Sequence, residues 1–385
     1  TGVVAMPAPA AGSTQTLAPA RDIAAIWPEM VAIDNASYGL SFRAKSPRST
    51  AVCDVTVGSV TFTRTRTSAA SVITDQAAML SAYRSRFPSL EVHASIETSH
   101  TLPHLNPFGI PAWLPDYAAL SSDRTVYHQQ ISDQVHAMGG LISYNHPFGM
   151  NGGPLFSPTE RDAKRRQVFA EMQTVGRFSA DILEVGYNLR GNVDCPTHLA
   201  LWDTFSRNGD FLTGNGVSDD HKGQAWANLR NGFATGVWAD STSQADMVTT
   251  LAAGRAFTAH VGRWPGDLDL LVDDSVPMGA VSVSSKASRS LAIWATSLPE
   301  GSAVQVIAGP VDYAGSPDPG TWIAQTLTPS SFSGNIAVIV LDTSTSQFFR
   351  AQVLDPTGQV IGVSNPVWLL RTTPPGDIPP QRRIG

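Results

Sequence analysis

The chain contains 385 residues with a formal net charge of −6; 42% of the residues are hydrophobic and 15% are charged. These values are typical of a globular protein with room for two domains, and the weak negative charge without a basic stripe argues against a nucleic-acid partner. No segment approaches the about 20 apolar residues of a membrane-spanning helix, so we expect no membrane partner.

Residues 1–28 are predicted to be a low-complexity segment because they are rich in alanine and proline. The chain starts at Thr1 rather than at methionine, which favours a processed, exported protein at an extracellular, cell-surface or virion location. Cys53 and Cys195 are the only cysteines. One disulfide and two buried thiols are both compatible with this pair, and the sequence does not decide between them.

Residues 29–265 alternate between helical and strand-like patterns. The predicted helices cover 75–87, 125–138, 161–175, 198–207 and 244–251. The predicted strands cover 90–96, 141–144, 180–185 and 211–213. Alternation at this spacing predicts an α/β fold with a mostly parallel sheet, which is either open or closed into a barrel.

Residues 266–373 lose the helical period and instead show short apolar runs separated by Pro, Gly, Asp and Ser clusters. The predicted strands cover 281–283, 291–294, 303–307, 336–341, 348–353 and 367–370. This pattern predicts an all-β, immunoglobulin-like sandwich. A carbohydrate-binding role for its tryptophans Trp294, Trp322 and Trp368 is a weaker alternative to core packing. Residues 374–385, rich in Pro and Arg, are predicted to form a flexible tail.

Histidines and carboxylates follow the predicted strands at three separate places in the chain. Glu97 and His104 come after the strand 90–96, His146 follows the strand 141–144, and Asp219 with His221 follows the strand 211–213. The carboxyl ends of parallel strands meet at one edge of a sheet, where side chains converge on a pocket. Imidazole and carboxylate ligands from separate segments therefore predict a metal site.

In this order, the motifs resemble those of the PHP (polymerase and histidinol phosphatase) family of metal-dependent phosphoesterases, in its exported form with a C-terminal β-sandwich. The resemblance covers roughly residues 70–372. Its motifs are Ile96-Glu97, His104-Leu105-Asn106, the run from Gly139 to Pro147, Leu183-Glu184-Val185, Ser218-Asp219-Asp220-His221, the run from Ala252 to Thr258, and the C-terminal runs 348–353 and 364–368.

The resemblance implies a distorted (β/α)7 barrel before the sandwich, with divalent ions (Zn, Mn or Fe) at the carboxyl ends of its strands. It implies that Glu97, His104, His146, Asp219 and His221 are metal ligands. Glu97, His146 and Asp219 would also be catalytic, in the hydrolysis of a small phosphorylated substrate by a metal-activated hydroxide.

The chain departs from the family pattern near its N-terminus. The family has a His-x-His pair on its first strand, whereas no histidine precedes His93 in this chain. Asp34, Asp75 and His100 are further ligand candidates, but the number of bound ions is expected to be reduced. The alternative function is therefore an inactive PHP-fold module with a structural or binding role in a surface or virion assembly, including assembly as a homo-oligomer.

Overall fold

The structure is a computed structural model that describes residues 10, 12–18, 25, 69–99, 101–111, 113–150, 153–219 and 232–384. It divides into two compact units, residues 1–94 with 111–114 and residues 95–110 with 115–385. The fold is mixed α/β with few helices and many strands, and it includes a sheet that curls into a half-barrel. The mixed α/β class predicted from the sequence is therefore confirmed.

The described part of the first unit is dominated by one helix, α1 (Ala69–Arg86). The guanidinium group of Arg84 donates to the carbonyl oxygen of Val92, with Nε at 3.0 Å, and so holds the chain that follows the helix. The structure has no strand over 90–96, where the sequence predicts one. This segment forms no backbone ladder among the described residues, and the first bridge in that region is made by Thr98.

The described residues of the second unit form four α-helices, and each begins directly after a capping side chain. They are α2 (Arg124–Ala137), α3 (Pro158–Thr174), α4 (Cys195–Arg207) and α5 (Gln244–Ala252). The capping residues are Asp123, Ser157, Asp194 and Ser243, each of which accepts a backbone N–H of the first helical turn. The capping residues of α3 and α4 lie before the first apolar residues of the helical pattern. The two helices therefore begin three residues before the starts predicted from that pattern.

The described residues form nineteen strands and three short 3-10 helices. The strands are β1 (His104–Phe108), β2 (Leu141–Asn145), β3 (Ile182–Gly186), β4 (Leu189–Arg190), β5 (Val193–Asp194), β6 (Thr213–Gly216), β7 (Phe233–Val237), β8 (Ala256–His260), β9 (Leu268–Val272), β10 (Val276–Pro277), β11 (Val281–Val283), β12 (Ser288–Ala295), β13 (Ala303–Pro310), β14 (Trp322–Leu327), β15 (Ile336–Asp342), β16 (Gln347–Leu354), β17 (Val360–Ser364), β18 (Val367–Leu370) and β19 (Arg383–Ile384). The 3-10 helices are Gly176–Ser179, Pro329–Ser331 and Pro380–Arg382.

The first sheet has the strand order β1-β2-β3-β6. β2, β3 and β6 are parallel, so their carboxyl ends lie at one edge. β1 is antiparallel to β2, and His104 pairs with Asn145. Every residue of β2, β3 and β6 is buried, as expected for parallel strands covered on both faces.

The C-terminal strands form two sheets that share one apolar core. One has the order β10-β9-β12-β15, and the other follows the path β19-β11-β18-β16-β17-β8-β7 with β13 and β14 attached through β16. β8 pairs with β17, so the second sheet crosses the domain boundary predicted near residue 265. Trp368 is fully buried, Trp294 packs against Trp238, and only Trp322 of the three candidate sugar platforms is largely exposed.

A buried amide joins the first sheet to the second sheet of the C-terminal core. Asn365 Oδ1 accepts the N–H of Gly214 at 2.8 Å, and Asn365 Nδ2 donates to the carbonyl oxygens of Gly214 at 3.0 Å and Ala256 at 2.7 Å. Buried backbone N–H and C=O groups need partners. The Asn365 side chain therefore provides hydrogen-bond partners for backbone groups of β6 and β8, which are not paired with each other in a sheet.

The segment predicted to be a flexible tail has fixed contacts in the structure. β19 pairs with β11, and Arg382 is only 2% exposed. Its guanidinium group donates to Gly279 O at 2.9 Å and to Thr213 Oγ1, next to the ring of Trp368. Burial lowers the pKa of Arg382 to about 10. The group is still charged at neutral pH, because this value remains well above 7.

A buried ion pair connects α4 to β16. Arg350 Nε donates to Asp203 Oδ1 at 2.7 Å and Arg350 Nη2 donates to Asp203 Oδ2 at 2.8 Å, so the contact is bidentate. The two side chains are 4% and 3% exposed. Removing one partner of such a pair leaves an uncompensated buried charge.

We expect Arg350→Leu to lower the free energy of unfolding by about 3–5 kcal/mol, because Asp203 stays buried without its countercharge. The double variant Asp203→Leu/Arg350→Leu buries no charge and is expected to recover most of that loss. Urea denaturation followed by circular dichroism measures both values. Equal destabilisation of the two variants would show that lost packing, and not the orphaned charge, is responsible.

A second ion pair lies at the start of β2. His136 Nε2 donates to Asp181 Oδ2 at 2.9 Å, and Asp181 also accepts the N–H of Ile142 at 2.8 Å. The hydrogen bond to Asp181 raises the pKa of His136 above its ordinary value of 6.5, against the opposing effect of burial. When folding raises the pKa of a group, protonation of that group stabilises the folded state. This contribution is fully present below the pKa of the unfolded state and is lost as pH rises through the pKa of the folded state.

We therefore expect the stability difference between the native chain and His136→Gln to be largest below pH 6.5, the ordinary value, and to shrink as pH rises through the elevated pKa of His136. Urea denaturation at a series of pH values measures this difference. A constant difference across the series would mean that protonated His136 gains nothing from Asp181.

Candidate metal site

Three predicted ligands meet at the carboxyl edge of the first sheet. His104 is the first residue of β1, and the antiparallel pairing places it opposite Asn145, the last residue of β2. His146 follows directly. Thr98 bridges to Leu105, with Thr98 N donating to Leu105 O at 2.9 Å, and this bridge brings the preceding residue, Glu97, beside His104.

The ligand atoms of these three side chains lie at coordination spacing. Glu97 Oε1 is 3.2 Å from His104 Nδ1 and 3.3 Å from His146 Nε2. All three atoms lie within 4.8 Å of one another. Ligands bound at about 2.1 Å in a tetrahedral site stand about 3.4 Å apart, so the spacing fits a single small cation.

Glu184 and Tyr187 determine the orientation of His146. Glu184 Oε2 accepts the backbone N–H of His146 at 2.8 Å and its ring Nδ1–H at 2.9 Å. The Tyr187 hydroxyl donates to the same carboxylate oxygen, and its own oxygen lies 2.9 Å from His146 Nδ1. His146 is thereby held at φ = +47°, an uncommon conformation outside glycine, and Nε2 is directed towards Glu97.

The pKa values reflect this crowding of one imidazole by two carboxylates. The hydrogen bond from His146 lowers the pKa of Glu97 to about 2, although burial acts in the opposite direction. Burial alone would lower the pKa of His146, but hydrogen bonds to Glu184 and Glu97 outweigh it and raise this pKa to about 9. Burial raises the pKa of Tyr187 well above its usual range, which keeps its hydroxyl proton available for Glu184.

A cleft of about 410 Å³ opens beside two of the three ligands, Glu97 and His146. Its walls include Glu97, Asn106, Asn145, His146 and Asp219. The Oδ1 atoms of Asn106 and Asn145 are buried and have no hydrogen-bond partner among the described residues. Amide oxygens of this kind suit a cation or the donors of a hydrated ligand.

The residues present fit a divalent metal ion. Two imidazole nitrogens and one carboxylate oxygen are a ligand set that zinc and non-haem iron accept, with positions left for water or substrate. The Glu184–His146 hydrogen bond supplies the outer carboxylate that commonly supports a ligating histidine. The cofactor prediction is therefore confirmed in its coarser form: this cluster could hold a metal ion.

The other predicted ligands do not join this cluster in the described structure. Asp219 lines the same cleft, but its carboxylate forms an ion pair with Arg190. Asp75 lies in α1, within the first unit. Asp34, His100 and His221 are outside the described residues, as is Cys53 of the predicted cysteine pair; Cys195 is a buried thiol.

The sequence assigned no role to the supporting residues Asn145, Glu184 and Tyr187, although the first two lie in motifs of the resemblance. Asn145 Nδ2 donates to Glu97 Oε1 at 3.0 Å. Glu184 had a detectable signal, because a carboxylate between Leu183 and Val185 in an apolar strand needs a buried partner. Tyr187 had none, since its role depends on how the chain turns after β3.

Comparisons of the chain with family models, curated proteins and solved structures find no match. The resemblance to the PHP family therefore rests on its motif residues. Within the described residues, no helix has both the length and the apolar character needed to cross a membrane.

We expect Glu184→Gln to weaken zinc binding by about 10–100-fold, because a ligating histidine loses its outer carboxylate. Calorimetric titration of the metal-free chain with zinc measures the affinity. Glu300→Gln, at an exposed position, is the matched control and is expected to bind zinc as the native chain does. Unchanged affinity in Glu184→Gln would show that His146 does not need Glu184 to act as a ligand.

Proposed function

We propose that the protein is a divalent-metal-dependent hydrolase of phosphate esters, built on a PHP-like barrel with an appended β-sandwich and a reduced metal site. The observation that carries the proposal is the set of Glu97 Oε1, His104 Nδ1 and His146 Nε2 at coordination spacing beside a cleft. The order of the motifs along the chain supports the choice of phosphate esters as the substrate class.

Each residue of the site has a defined task in this proposal. Glu97, His104 and His146 hold the cation, which supplies Lewis acidity towards a phosphoryl oxygen. Glu184 accepts a hydrogen bond from the Nδ1–H of His146, so Nε2 is the ring nitrogen that would bind the ion. Asn145 donates to Glu97 Oε1, so the carboxylate keeps its place when the cleft fills.

A metal-stabilised binding module is the second candidate function. The lack of any histidine before His93 favours it, because the family's N-terminal ligand pair is missing. In this case the ion would order the edge of the sheet without turnover. The two functions agree on metal binding and differ in hydrolysis.

We expect the purified chain to retain about one equivalent of Zn, Mn or Fe and to hydrolyse p-nitrophenyl phosphate or its bis-ester. His146→Ala removes a metal ligand and is expected to reduce the rate by more than about 100-fold, which is the largest effect typical of residues that only support a ligand. Elemental analysis and release of p-nitrophenol measure the two properties. His136→Gln, outside the cleft, is the control and should retain both. Bound metal without hydrolysis would favour the binding module, and absence of bound metal would exclude both.

A further inference from the structure

The ligand loop (residues 99–103) joins two of the three metal-ligand candidates, Glu97 and His104. The structure describes all of it except position 100. The bridge between Thr98 and Leu105 closes the loop with two backbone hydrogen bonds, from Thr98 N to Leu105 O at 2.9 Å and from Leu105 N to Thr98 O at 3.3 Å. The described loop residues form no helix or strand of their own. The position of the loop, and with it the spacing of the two ligands, therefore depends on contacts with other parts of the chain.

A buried histidine of α2 supplies such a contact. His128 Nε2 lies 2.8 Å from Pro103 O and 3.3 Å from Thr101 O, so one ring nitrogen faces two carbonyl oxygens of the ligand loop. His128 is 0% exposed. Its ring packs against the rings of Phe178 and Tyr127, with centroid distances of 4.9 Å and 5.0 Å. This packing restricts the ring and keeps Nε2 beside the loop.

The His128 ring is neutral at neutral pH and carries a single N–H. Burial lowers its pKa below the ordinary value of 6.5, and the positive charge of Arg124 acts in the same direction. The contacts with the carbonyl oxygens favour the charged form, but they do not outweigh burial. A neutral imidazole donates from one ring nitrogen only. The location of that one proton therefore decides which carbonyl oxygen receives a hydrogen bond.

Two groups of acceptors compete for this proton. Nδ1 lies 2.7 Å from Arg124 O, one turn earlier in α2. Arg124 O already accepts the backbone N–H of His128, because residue i of an α-helix accepts from residue i+4. Pro103 O and Thr101 O lie outside any helix or strand, and Pro103 is buried. A buried carbonyl oxygen without a donor is costly, so the proton is more valuable on Nε2 than on Nδ1.

We propose that His128 is a positioning residue of the metal site, whose Nε2–H holds the ligand loop and so fixes the spacing of Glu97 Oε1 and His104 Nδ1. His128 acts through the loop backbone and is not itself a ligand. It is also not among the residues that line the cleft. The inference rests on the metal site of the proposed function and deepens it, because it names a residue outside the cleft that controls ligand geometry.

Two matched substitutions separate the two ring nitrogens of His128. The amide nitrogen of His128→Gln stands near the place of Nε2, whereas the shorter side chain of His128→Asn carries its amide nitrogen near the place of Nδ1. His128→Gln can therefore still donate to the ligand loop. His128→Asn cannot reach it.

Hydrogen exchange of the metal-free chain, followed by NMR, tests the contact without zinc. We expect His128→Asn to exchange the amides of Thr98 and Leu105 about tenfold faster than the native chain, because the loop carbonyls have lost their donor. His128→Gln is expected to stay within about threefold of the native rates. The amide of Ile293, in the C-terminal core, is the internal reference. Unchanged exchange of Thr98 and Leu105 in His128→Asn would overturn the inference.

Calorimetric titration with zinc tests whether the contact matters to the site. We expect His128→Asn to bind zinc about tenfold more weakly than the native chain and His128→Gln to restore the affinity, as for residues that orient a ligand. His136→Gln changes the other histidine of α2 and is the control, with unchanged affinity. Native zinc affinity in His128→Asn would make His128 a structural residue only and overturn its positioning role.

Nitrogen-15 NMR of the native chain locates the proton of His128 directly. A proton on Nε2 is expected, and a proton found only on Nδ1 would overturn the inference even if circular dichroism shows that His128→Asn does not fold. Lack of zinc binding by the native chain would overturn the proposed function. In that case the exchange rates, which are measured without metal, would still decide whether His128 holds the loop.

Discussion

β1 runs antiparallel to β2 with His104 opposite Asn145, so the start of one strand lies beside the end of the other. If β1 were parallel to its neighbour, His104 would lie at the opposite edge of the sheet from His146. Side chains alternate between the faces of a strand, so a shift of one residue would also turn His104 to the other face. The bridge between Thr98 and Leu105 depends on the same register, and it brings Glu97 to the site. The metal cluster is therefore a consequence of strand direction as much as of ligand chemistry.

In this cluster, two carboxylates contact one imidazole ring, that of His146. Glu184 is almost fully buried, and it is tolerated there because it accepts hydrogen bonds from the backbone N–H and ring of His146 and from the Tyr187 hydroxyl. Glu97 approaches the same ring from its other nitrogen. A divalent ion between Glu97 and His146 would satisfy both carboxylates without a protonated histidine. The left-handed backbone at His146 is stabilised by the same Glu184 oxygen that orients its ring.

Residues 95–110 and 115–385 form one compact unit although two domains are predicted, and long-range polar contacts connect its distant segments. Asn365 joins β6 to β8, the Asp203–Arg350 pair joins α4 to β16, and Arg382 returns from the chain end to Thr213. The predicted boundary followed a real change from helical to strand periodicity near residue 266. Periodicity reports local conformation, whereas the continuity of a sheet depends on pairing between distant segments, such as β8 with β17.

The sequence by itself determined the features that local chemistry controls. Apolar periodicity located α2 to α5, although the starts of α3 and α4 were placed three residues too late. The grouping of histidine and carboxylate residues in short motifs identified Glu97, His104 and His146. Only the tertiary structure decided the direction of β1, the support of His146 by Glu184 from 38 residues away, and the pairing of Asp219 with Arg190. These features arise from contacts between segments far apart in the chain. A local residue pattern does not encode which distant partner a carboxylate meets once the chain has folded.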